Sequence, residues 1–413
     1  MQNPDTPRGW VFLLPTLFIA VAHAGDTRTV SQPVPPQPCQ VLHANGTADS
    51  TQNIQHALDT CGSGKAVHLS PTVDHPRFYS GPLTLPSGVS LWVDNGAFLF
   101  AIANPSRYDT GHHTCGTLDA SGKGCNPFIW IKNAVGSGIY GQGTIDGQGN
   151  ATMIGKSKTW WQLATDAKNK HQKQNAPRLI QIDNSKNITL YQITLKNSPN
   201  FHIASNKTNG LTLWAITINT PASARNTDGV DPMGSTNVTL ARSNISTGDD
   251  NVAIKAGNAA SSHISILNNH FGFGHGMSIG SEVNQGVSDV TVSTLTLNGT
   301  TNGLRIKSDP SRGGLVSGVT YDNVCMENVK HPIVLDTHYD STASGSLIPE
   351  FRDITFNNVR VLTAGSFSIE GYSNTKPISV RFNNLHIKKG SVWHEKYAII
   401  QGKAQEDATG SCE

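Results

Sequence analysis

A short triplet, made of an apolar residue, then Thr or Ser, then a second apolar residue, recurs at regular spacing in this chain. Eight successive copies occur, which are Ile188-Thr189-Leu190, Leu211-Thr212-Leu213, Val238-Thr239-Leu240, Ile264-Ser265-Ile266, Val290-Thr291-Val292, Val319-Thr320-Tyr321, Ile354-Thr355-Phe356 and Ile378-Ser379-Val380. The copies begin about 23 to 35 residues apart, and periods of about 20 to 50 residues indicate a stacked array. Units made of short strands and turns favour the coils of a parallel β-helix.

The repeat therefore predicts how each coil is built. We expect every coil to turn its apolar residues inward and to pair its backbone with the next coil, about 4.8 Å away. Asn-rich links suit the corners, because Asn tolerates left-handed backbone dihedrals. The expected fold class is all-β, a single right-handed parallel β-helix or solenoid. An all-β sandwich with regularly spaced strands is the alternative for the same pattern.

Two segments outside the repeat have helical character. The open ends of a solenoid expose unpaired strand edges, which need a cover. Residues 51–61 form a predicted short amphipathic helix, because Ile54, Leu58 and Cys61 share one face. We place this helix over the N-terminal end of the solenoid. A second helical stretch is expected at 160–173, as an excursion between coils.

The first residues resemble a targeting segment. Arg8 precedes an apolar run at 10–22, and the small-x-small sequence Ala22-His23-Ala24 follows. The run is shorter than the roughly 20 apolar residues that a bilayer span requires. We therefore expect a signal peptide at 1–24 and one domain at 25–413, secreted to the extracellular space, monomeric and not attached to a membrane. A short buried N-terminal helix is the alternative.

Composition and charge exclude some classes of function. Charged residues make up 15% of the chain, against about 25% in ordinary soluble proteins. The formal net charge is +2, and the chain has no basic cluster of the kind that nucleic-acid binders show, so no nucleic-acid partner is expected. The 16 His residues would make the surface more attractive to a polyanion as the pH falls below about 6.5.

Six cysteines indicate an oxidising compartment. The pairs Cys39/Cys61 and Cys115/Cys125 are close in sequence and are expected to staple local loops. Cys325 either pairs with Cys412 or remains a buried free thiol in its strand. No CxxC spacing occurs, so a thiolate metal site is not expected.

Four polar motifs fall on successive repeats. They are Asn226-Thr227-Asp228, with Asp231 just beyond, Gly248-Asp249-Asp250, Gly274-His275-Gly276 and Arg305-Ile306-Lys307. Val238 and Ile264 each begin a triplet. Asp249 lies as many residues after Val238 as His275 lies after Ile264. Equal offsets in a stacked solenoid place side chains one coil apart, within contact range. Asp228 lies at a larger offset from the start of its own triplet, so its placement requires a turn of different length.

The motifs together supply the groups that glycosidic cleavage requires. Crowded carboxylates repel one another, so at least one is expected to have a raised pKa and to hold its proton. One carboxyl then protonates the leaving oxygen while another activates water or attacks carbon. Arg305 and Lys307 alternate with Ile306 on a strand, so they point the same way and suit a carboxylate-bearing sugar. Taken singly, each motif also fits a turn, a calcium ligand, a loop or a solvated face.

The four motifs, in this order on a β-helical repeat, resemble those of the polygalacturonases of glycoside hydrolase family 28. The resemblance extends over roughly 160–339 and includes the phrase Ala224-Arg225-Asn226-Thr227-Asp228-Gly229. It implies hydrolysis of the α-1,4 bonds between galacturonic acid residues of polygalacturonan or pectin, with inversion and with no metal or other cofactor. Polygalacturonate is the implied partner.

The resemblance also implies a role for each residue. Asp249 resembles the general acid, and Asp228 and Asp250 resemble the pair that activates the attacking water. His275 resembles the residue that maintains protonation of the acid. The residues implied to contact substrate are Arg305 and Lys307, which bind the galacturonate carboxylate, Tyr339, which shapes the site, and Asn226, which orients the cluster, touches substrate or forms a corner.

Four other activities fit parts of the pattern. An exo-acting polygalacturonase differs only in loops that block the cleft, and we favour endo action because 274–307 resembles bacterial endo-acting members without a large insertion. A calcium-dependent pectate lyase would use the three Asp residues as a calcium site. Rhamnogalacturonan hydrolases share the scaffold but lack the His275 and Arg305/Lys307 set. A non-catalytic binding module or adhesin would not need the Asp residues.

Overall fold

The computed structural model describes residues 25–412. Their strands form two long parallel sheets, which wind into one right-handed β-helix. Sheet A has 20 strands and sheet B has 11, and a separate antiparallel pair of short strands lies outside them. The predicted solenoid is confirmed, and the sandwich alternative is wrong. The predicted signal peptide at 1–24 lies outside the described residues.

The strands are numbered in chain order. Sheet A contains β1 (Pro38–His43), β2 (Ala66–Ser70), β3 (Arg77–Ser80), β5 (Ser90–Val93), β6 (Phe98–Ala101), β9 (Gly138–Tyr140), β10 (Thr144–Asp146), β13 (Lys186–Tyr191), β14 (Thr194–Lys196), β16 (Asn209–Trp214), β17 (Thr217–Asn219), β19 (Thr236–Ala241), β20 (Asn244–Ser246), β22 (Ser261–Phe271), β24 (Val287–Asn298), β26 (Gly314–Glu327), β28 (Pro349–Val361), β30 (Ile378–Ile387), β32 (Ala398–Gln401) and β33 (Ala404–Gln405). Sheet B contains β4 (Leu83–Leu85), β8 (Ile129–Lys132), β12 (Ile180–Asp183), β15 (Ile203–Asn206), β18 (Val230–Met233), β21 (Val252–Ile254), β23 (Met277–Gly280), β25 (Asn302–Lys307), β27 (His331–Asp336), β29 (Ser366–Glu370) and β31 (Val392–Lys396). The antiparallel pair is β7 (Leu118–Asp119) and β11 (Lys173–Gln174). The helices are α1 (Thr51–Thr60), α2 (Pro105–Tyr108) and α3 (Trp160–Asn169).

The triplets stack in register along sheet A. The first residues of seven copies pair in one continuous series, which is Ile188, Leu211, Val238, Ile264, Val290, Val319 and Ile354. Both apolar positions of these seven copies are at most 1% exposed, so the triplets form the core ladder. Burying one such side chain stabilises the fold by about 1.5 to 3 kcal/mol.

The eighth triplet does not continue the series as expected. Ile354 pairs with Val380 rather than with Ile378, so the last copy is displaced by two positions. Side chains alternate with a period of two along a strand, and a displacement of two keeps Ile378 and Val380 on the inner face. Both are at most 2% exposed. The apolar pattern therefore survives although the register differs.

Left-handed residues mark the corner just before each triplet. Asn187, Asn237 and His263 have φ of 54°, 55° and 56°, and Asp289 and Asp353 each have φ of 53°. Glycine takes the same place in the other two coils of the series. Asn and Asp adopt this conformation more readily than most residues, because their short side chains bond locally to the backbone. The predicted role of Asn-rich corners is thereby confirmed.

Helix α1 covers the first strand of sheet B, as expected. Ile54 and Leu58 are fully buried on its inner face. The side-chain amide of Gln55 donates to the carbonyl of Thr84 at 2.9 Å and accepts from the Thr84 N–H at 2.8 Å. This amide satisfies backbone groups of β4 that would otherwise form an open edge. Helix α3 is the predicted excursion and ends at Asn169, earlier than expected.

An N-terminal strap, residues 25–32, crosses the outer face of sheet A. The Asp26 N–H donates to Ser265 Oγ at 2.9 Å, and Thr239 Oγ1 donates to the Asp26 carboxylate at 2.7 Å. Arg28 pairs with Asp26 at 2.7 Å and donates to the Leu211 carbonyl at 3.0 Å. The strap therefore contacts the middle hydroxyl positions of successive triplets.

Three disulfides link the six cysteines. They join Cys39 to Cys61, Cys115 to Cys125 and Cys325 to Cys412. The two expected local staples are present. Cys325 pairs with Cys412, so the free-thiol alternative is wrong. Within residues 25–412, none of the helices has the length and apolar character needed to cross a membrane.

Candidate active site

Adjacent strands of sheet B bring the predicted site residues together. Val230 of β18 pairs with Val252 of β21, which pairs with Met277 of β23. The residues two positions before these three partners are Asp228, Asp250 and His275. The turns that enter neighbouring strands therefore hold them side by side. We call Asp228, Asp249, Asp250 and His275 the acidic cluster.

The register explains the unequal offset of Asp228. Asp228 is aligned with Asp250, not with Asp249, since Val230 pairs with Val252. The chain from Leu211 to Asp228 is also longer than the chain from Val238 to Asp250, although Leu211 and Val238 are paired. The turn before Asp228 is therefore the longer one. Thr227 Oγ1 ties that longer turn down, because it donates to the Ala224 carbonyl at 2.7 Å and accepts from the Gly248 N–H at 3.0 Å.

Glycine is required where these turns pack. A Cβ at Gly248 would lie 1.9 Å from the Ala224 carbonyl oxygen, closer than any real contact. Gly274 has φ of 141°, and a Cβ there would lie 2.5 Å from Asn251 Oδ1. Asn251 itself is fully buried and accepts from the Gly276 N–H at 2.8 Å. The glycines of the two motifs therefore allow the close approach of neighbouring coils.

Asp249 and His275 form a direct pair. His275 Nδ1 lies 3.0 Å from Asp249 Oδ1. Burial alone would raise the pKa of Asp249, but the hydrogen bond and charge of His275 and the charge of Lys307 outweigh it and lower the pKa to about 2. Asp249 is therefore ionised in the unliganded site. The His275 side chain is 40% exposed, so it connects this pair to solvent.

Asp250 is held by three donors. Ser278 Oγ donates to its carboxylate at 2.9 Å, Lys307 Nζ lies 3.0 Å away, and Arg305 forms a short ion pair with it. Burial would raise the pKa of Asp250, but the charges of Lys307 and Arg305 outweigh it and lower the pKa. Arg305 and Lys307 thus both pair with the carboxylate of Asp250.

Asp228 occupies a different electrostatic environment. Its one ion-pair partner in the described chain is Lys255, at 3.4 Å, and Lys255 also contacts Asp231 at 3.1 Å. Burial, followed by the charges of Asp231 and Asp249, raises the pKa of Asp228 well above its ordinary value, against the opposing charge of Lys255. The expectation of one carboxyl with a raised pKa is met by Asp228, while Asp249 and Asp250 shift the other way.

Tyr339 and Asn226 contact different parts of the site. The Tyr339 ring is 45% exposed, and Lys307 Nζ lies 4.9 Å from its centroid, within the range of a cation–π contact. Asn226 has φ of 56° and lines a groove of about 640 Å³ together with Arg178, Arg225 and Lys255. Asn226 therefore forms a corner and also faces the groove.

Comparison with known proteins agrees with this arrangement. The profile of glycosyl hydrolases family 28 matches residues 102–409. An endo-polygalacturonase of Pectobacterium carotovorum subsp. carotovorum is 52% identical over 387 residues, which is 93% of this chain and 95% of that protein. The chain belongs to glycoside hydrolase family 28.

Two further relatives support the assignment to family 28. A polygalacturonase of Ralstonia nicotianae is 41% identical over 414 residues, covering 88% of this chain and 78% of that protein. The solved structure of a polygalacturonase from Erwinia carotovora ssp. carotovora matches with a TM-score of 0.89 at 51% identity, covering 91% of this chain and all of that one. The chain is therefore a glycoside hydrolase with the β-helical fold of its family.

The acids of this family 28 enzyme also form a possible cation-binding group. Ligand atoms of Asp249, Asp250 and His275 lie within 4.8 Å of one another. Asp250, however, already carries the charges of Arg305 and Lys307, which would repel a dication. The donor set therefore does not fit a Ca²⁺ site, because Ca²⁺ prefers several free carboxylate oxygens.

Two charged residues of the family 28 site were missed by sequence reasoning. Asp231 lies just beyond the first motif, whose pattern predicts no role for it, and Lys255 lies outside all four motifs. The equal-offset rule would have found Lys255, since it follows Val238 at the same offset at which Lys307 follows Val290. Lys307 ends β25 and Lys255 directly follows β21, so the two lysines occupy equivalent positions of sheet B.

Proposed function

We propose that this enzyme is an endo-polygalacturonase, which hydrolyses α-1,4 bonds between galacturonic acid residues with inversion. The supporting observation is one patch that combines the acidic cluster with two permanent cations, Arg305 and Lys307. A glycoside hydrolase that acts on a polyanion needs both features, acids for the chemistry and cations for the sugar carboxylate. The names of the bacterial relatives are consistent with the same substrate.

In the proposed reaction, Asp249 protonates the glycosidic oxygen, and Asp228 and Asp250 activate a water that attacks the anomeric carbon. Asp249 is ionised in the unliganded site, so it must gain a proton before the bond breaks. His275, 3.0 Å from Asp249 and partly exposed, is the group that delivers this proton. Water attacks from the face opposite the leaving oxygen, which inverts the configuration.

Arg305 and Lys307 bind the carboxylate of the galacturonate unit next to the scissile bond. Arg305 presents a planar fork and Lys307 a point charge, and a sugar carboxylate would share both with Asp250. As the cations turn toward the substrate, Asp250 loses part of its compensation and becomes a stronger base. Tyr339 offers an exposed ring beside Lys307, where a sugar face can pack.

Endo action is supported by the groove on the Asn226 side of the cluster. It continues from Lys255 past Arg178 into a second space of about 440 Å³ that reaches Trp130. Arg178, Arg225 and Lys255 give this groove a positive lining that suits several galacturonate units. Secretion is proposed as well, supported by three disulfides and by the leader-like sequence at 1–24. The monomeric state stays a prediction.

Product sizes over time from de-esterified polygalacturonate test the proposal. We expect mixed oligomers at early times, because internal cuts release fragments of many lengths. Proton NMR of the first products should show the β-anomer, as inversion of an α-linkage requires. Monomer alone at early times would replace endo with exo action.

The remaining alternatives give different products. A calcium-dependent lyase would lose activity in a chelator and would release unsaturated sugars that absorb in the ultraviolet. A binding module would retain the polymer without shortening it. Full activity in a chelator with saturated products would remove both alternatives, and the absence of any cleavage would overturn the proposed function.

A further inference from the structure

A buried carboxyl behind the acidic cluster has no part in the reaction described above. Asp231 is 0% exposed and contacts Lys255 Nζ at 3.1 Å. Among residues 25–412, Lys255 is the one group that donates to its carboxylate, and no backbone N–H or hydroxyl does. A buried carboxylate with one ion-pair contact is costly, since desolvation is compensated only in part. Its position at the second residue of β18 therefore calls for an explanation.

Lys255 divides its charge between Asp231 and Asp228. Its Nζ lies 3.1 Å from Asp231 Oδ1 and 3.4 Å from Asp228 Oδ2, and it sits 4.3 Å from the Phe201 ring centroid. Burial would lower the pKa of Lys255, but the charges of Asp231 and Asp228 outweigh it and raise the pKa, so this cation is permanent. Because two carboxyls share it, Lys255 does not compensate Asp228 fully.

Counting the charges around this contact gives a deficit of at least one cation. The carboxyls in direct ion pairs here are Asp228, Asp231, Asp249 and Asp250. The permanent cations that contact them are Lys255, Arg305 and Lys307. Four acids against three permanent cations leave one negative charge. His202 stays neutral, because burial lowers its pKa to about 4. The remaining titratable neighbour, His275, faces the cleft.

We infer that Asp231 is a positioning residue that, through Lys255, makes the acidic cluster retain one proton for the reaction. The inference rests on the proposed function, and it adds a residue that does not touch substrate. With Asp231 charged, the deficit is met by one proton held within the acidic cluster. When this proton moves to Asp249, it supplies the acid step and leaves Asp228 and Asp250 ionised to activate the water. Without this charge, Lys255 would pair with Asp228 alone and the proton would be lost.

The pH profile of kcat/KM for polygalacturonate tests this assignment. Burial raises the pKa of Asp231 to about 6, so its charge is present on the alkaline side of the profile, where the cluster loses its proton. Asp231→Asn removes one negative charge with little change in shape. We expect the alkaline limb of the kcat/KM profile of Asp231→Asn to move to lower pH by roughly one unit, because the loss of one nearby negative charge commonly has an effect of this size. A purely structural role would lower the rate at every pH and leave the limb in place.

Asp146→Asn is the matched control. Asp146 is also buried and hydrogen-bonded, to Asn197 at 2.8 Å, but it lies on sheet A away from the cluster. Its replacement should leave the alkaline limb where it is in the wild type. Lys255→Gln should move the limb the other way, to higher pH, because a cation is removed. The inference is overturned if the alkaline limb of the pH profile lies at the same pH in the wild type and in Asp231→Asn. It is also overturned if Asp231→Asn and Lys255→Gln move that limb in the same direction.

A measurement on the wild-type protein covers the case in which Asp231→Asn does not fold. Infrared spectroscopy should detect a protonated carboxyl in the cluster at neutral pH, with a signal that disappears along the alkaline limb of the pH profile. A cluster without such a proton overturns the inference. An inactive wild type would instead overturn the proposed function, so the two failures are distinguishable.

Discussion

The outer faces of sheets A and B are both shielded, but by different means. On sheet A, the middle residues of the triplets are hydroxyls, and the N-terminal strap satisfies Thr239 and Ser265 with hydrogen bonds. On sheet B, the outward positions carry charges, and residues such as Lys255 and Lys307 are shielded mainly by the acids they contact. The same inner ladder of aliphatic residues supports both faces.

The difference separates stability from function. The inner ladder and the satisfied hydroxyls of sheet A lower the free energy of the fold without imposing any chemistry. On sheet B, burial and the charge of Asp231 raise the pKa of Asp228, while the hydrogen bond and charge of His275 lower the pKa of Asp249. Pairs of carboxyls whose pKa values are pushed apart are typical of acid–base catalysis. Substitutions on sheet B should therefore affect activity first, and substitutions on sheet A should affect stability first.

The largest effect is expected for Asp249→Asn on the sheet B side. Asn cannot donate the proton that the leaving oxygen needs, so kcat should fall by roughly 10²- to 10⁴-fold. Binding of oligogalacturonate, measured by calorimetry, should persist, because Arg305 and Lys307 are unchanged. Asp26→Asn on sheet A is the matched control and should retain the wild-type kcat. Full activity in Asp249→Asn would refute the acid role.

Much of this contrast was predictable from sequence, because a solenoid converts sequence offsets into spatial columns. The offset that Asp249 and His275 share, each counted from its own triplet, correctly placed them in contact. The left-handed corners and the inward triplets also followed from local chemistry. The predicted register of the eighth triplet was wrong. A displacement of two positions preserves the apolar pattern, so the sequence does not reveal it.

What sequence could not supply was the charge compensation. Arg305 and Lys307 were expected to face a sugar carboxylate, and the structure shows that they also hold Asp250. Which acid keeps a proton depends on burial and on shared partners such as Lys255, and neither can be read from spacing. The strap was also missed, because its contacts join residues that are distant in the chain, such as Asp26 and Thr239.

A smaller effect is expected for Lys307→Met. Loss of one charge-assisted contact to the substrate is worth about 1.5 to 3 kcal/mol, so KM for polygalacturonate should rise roughly tenfold or more. Lys396→Met is the matched control, since Lys396 stands in the same column of sheet B, three strands further on, and also lies over a tyrosine ring. It makes the same change in net charge. An unchanged KM in Lys307→Met, or an equal rise in both variants, would contradict the binding role.

The smallest effect on activity, and a clear effect on stability, is expected for Asp26→Ala in the strap. The Asp26 side chain is 2% exposed and bonds to Thr239 and Arg28, so its loss should cost about 1.5 to 3 kcal/mol, as for hydrogen bonds to charged groups. The urea midpoint should fall, and amide exchange should speed up in β19 and β22 beneath the strap, while kcat and KM stay at wild-type values. The hydroxyl of Thr239 would then face water, while Ser265 keeps its contact with the backbone N–H of residue 26, which limits the cost to the sheet A surface. A fall in kcat without a change in the urea midpoint would mean that the two faces are coupled, and the separation of stability from function would fail.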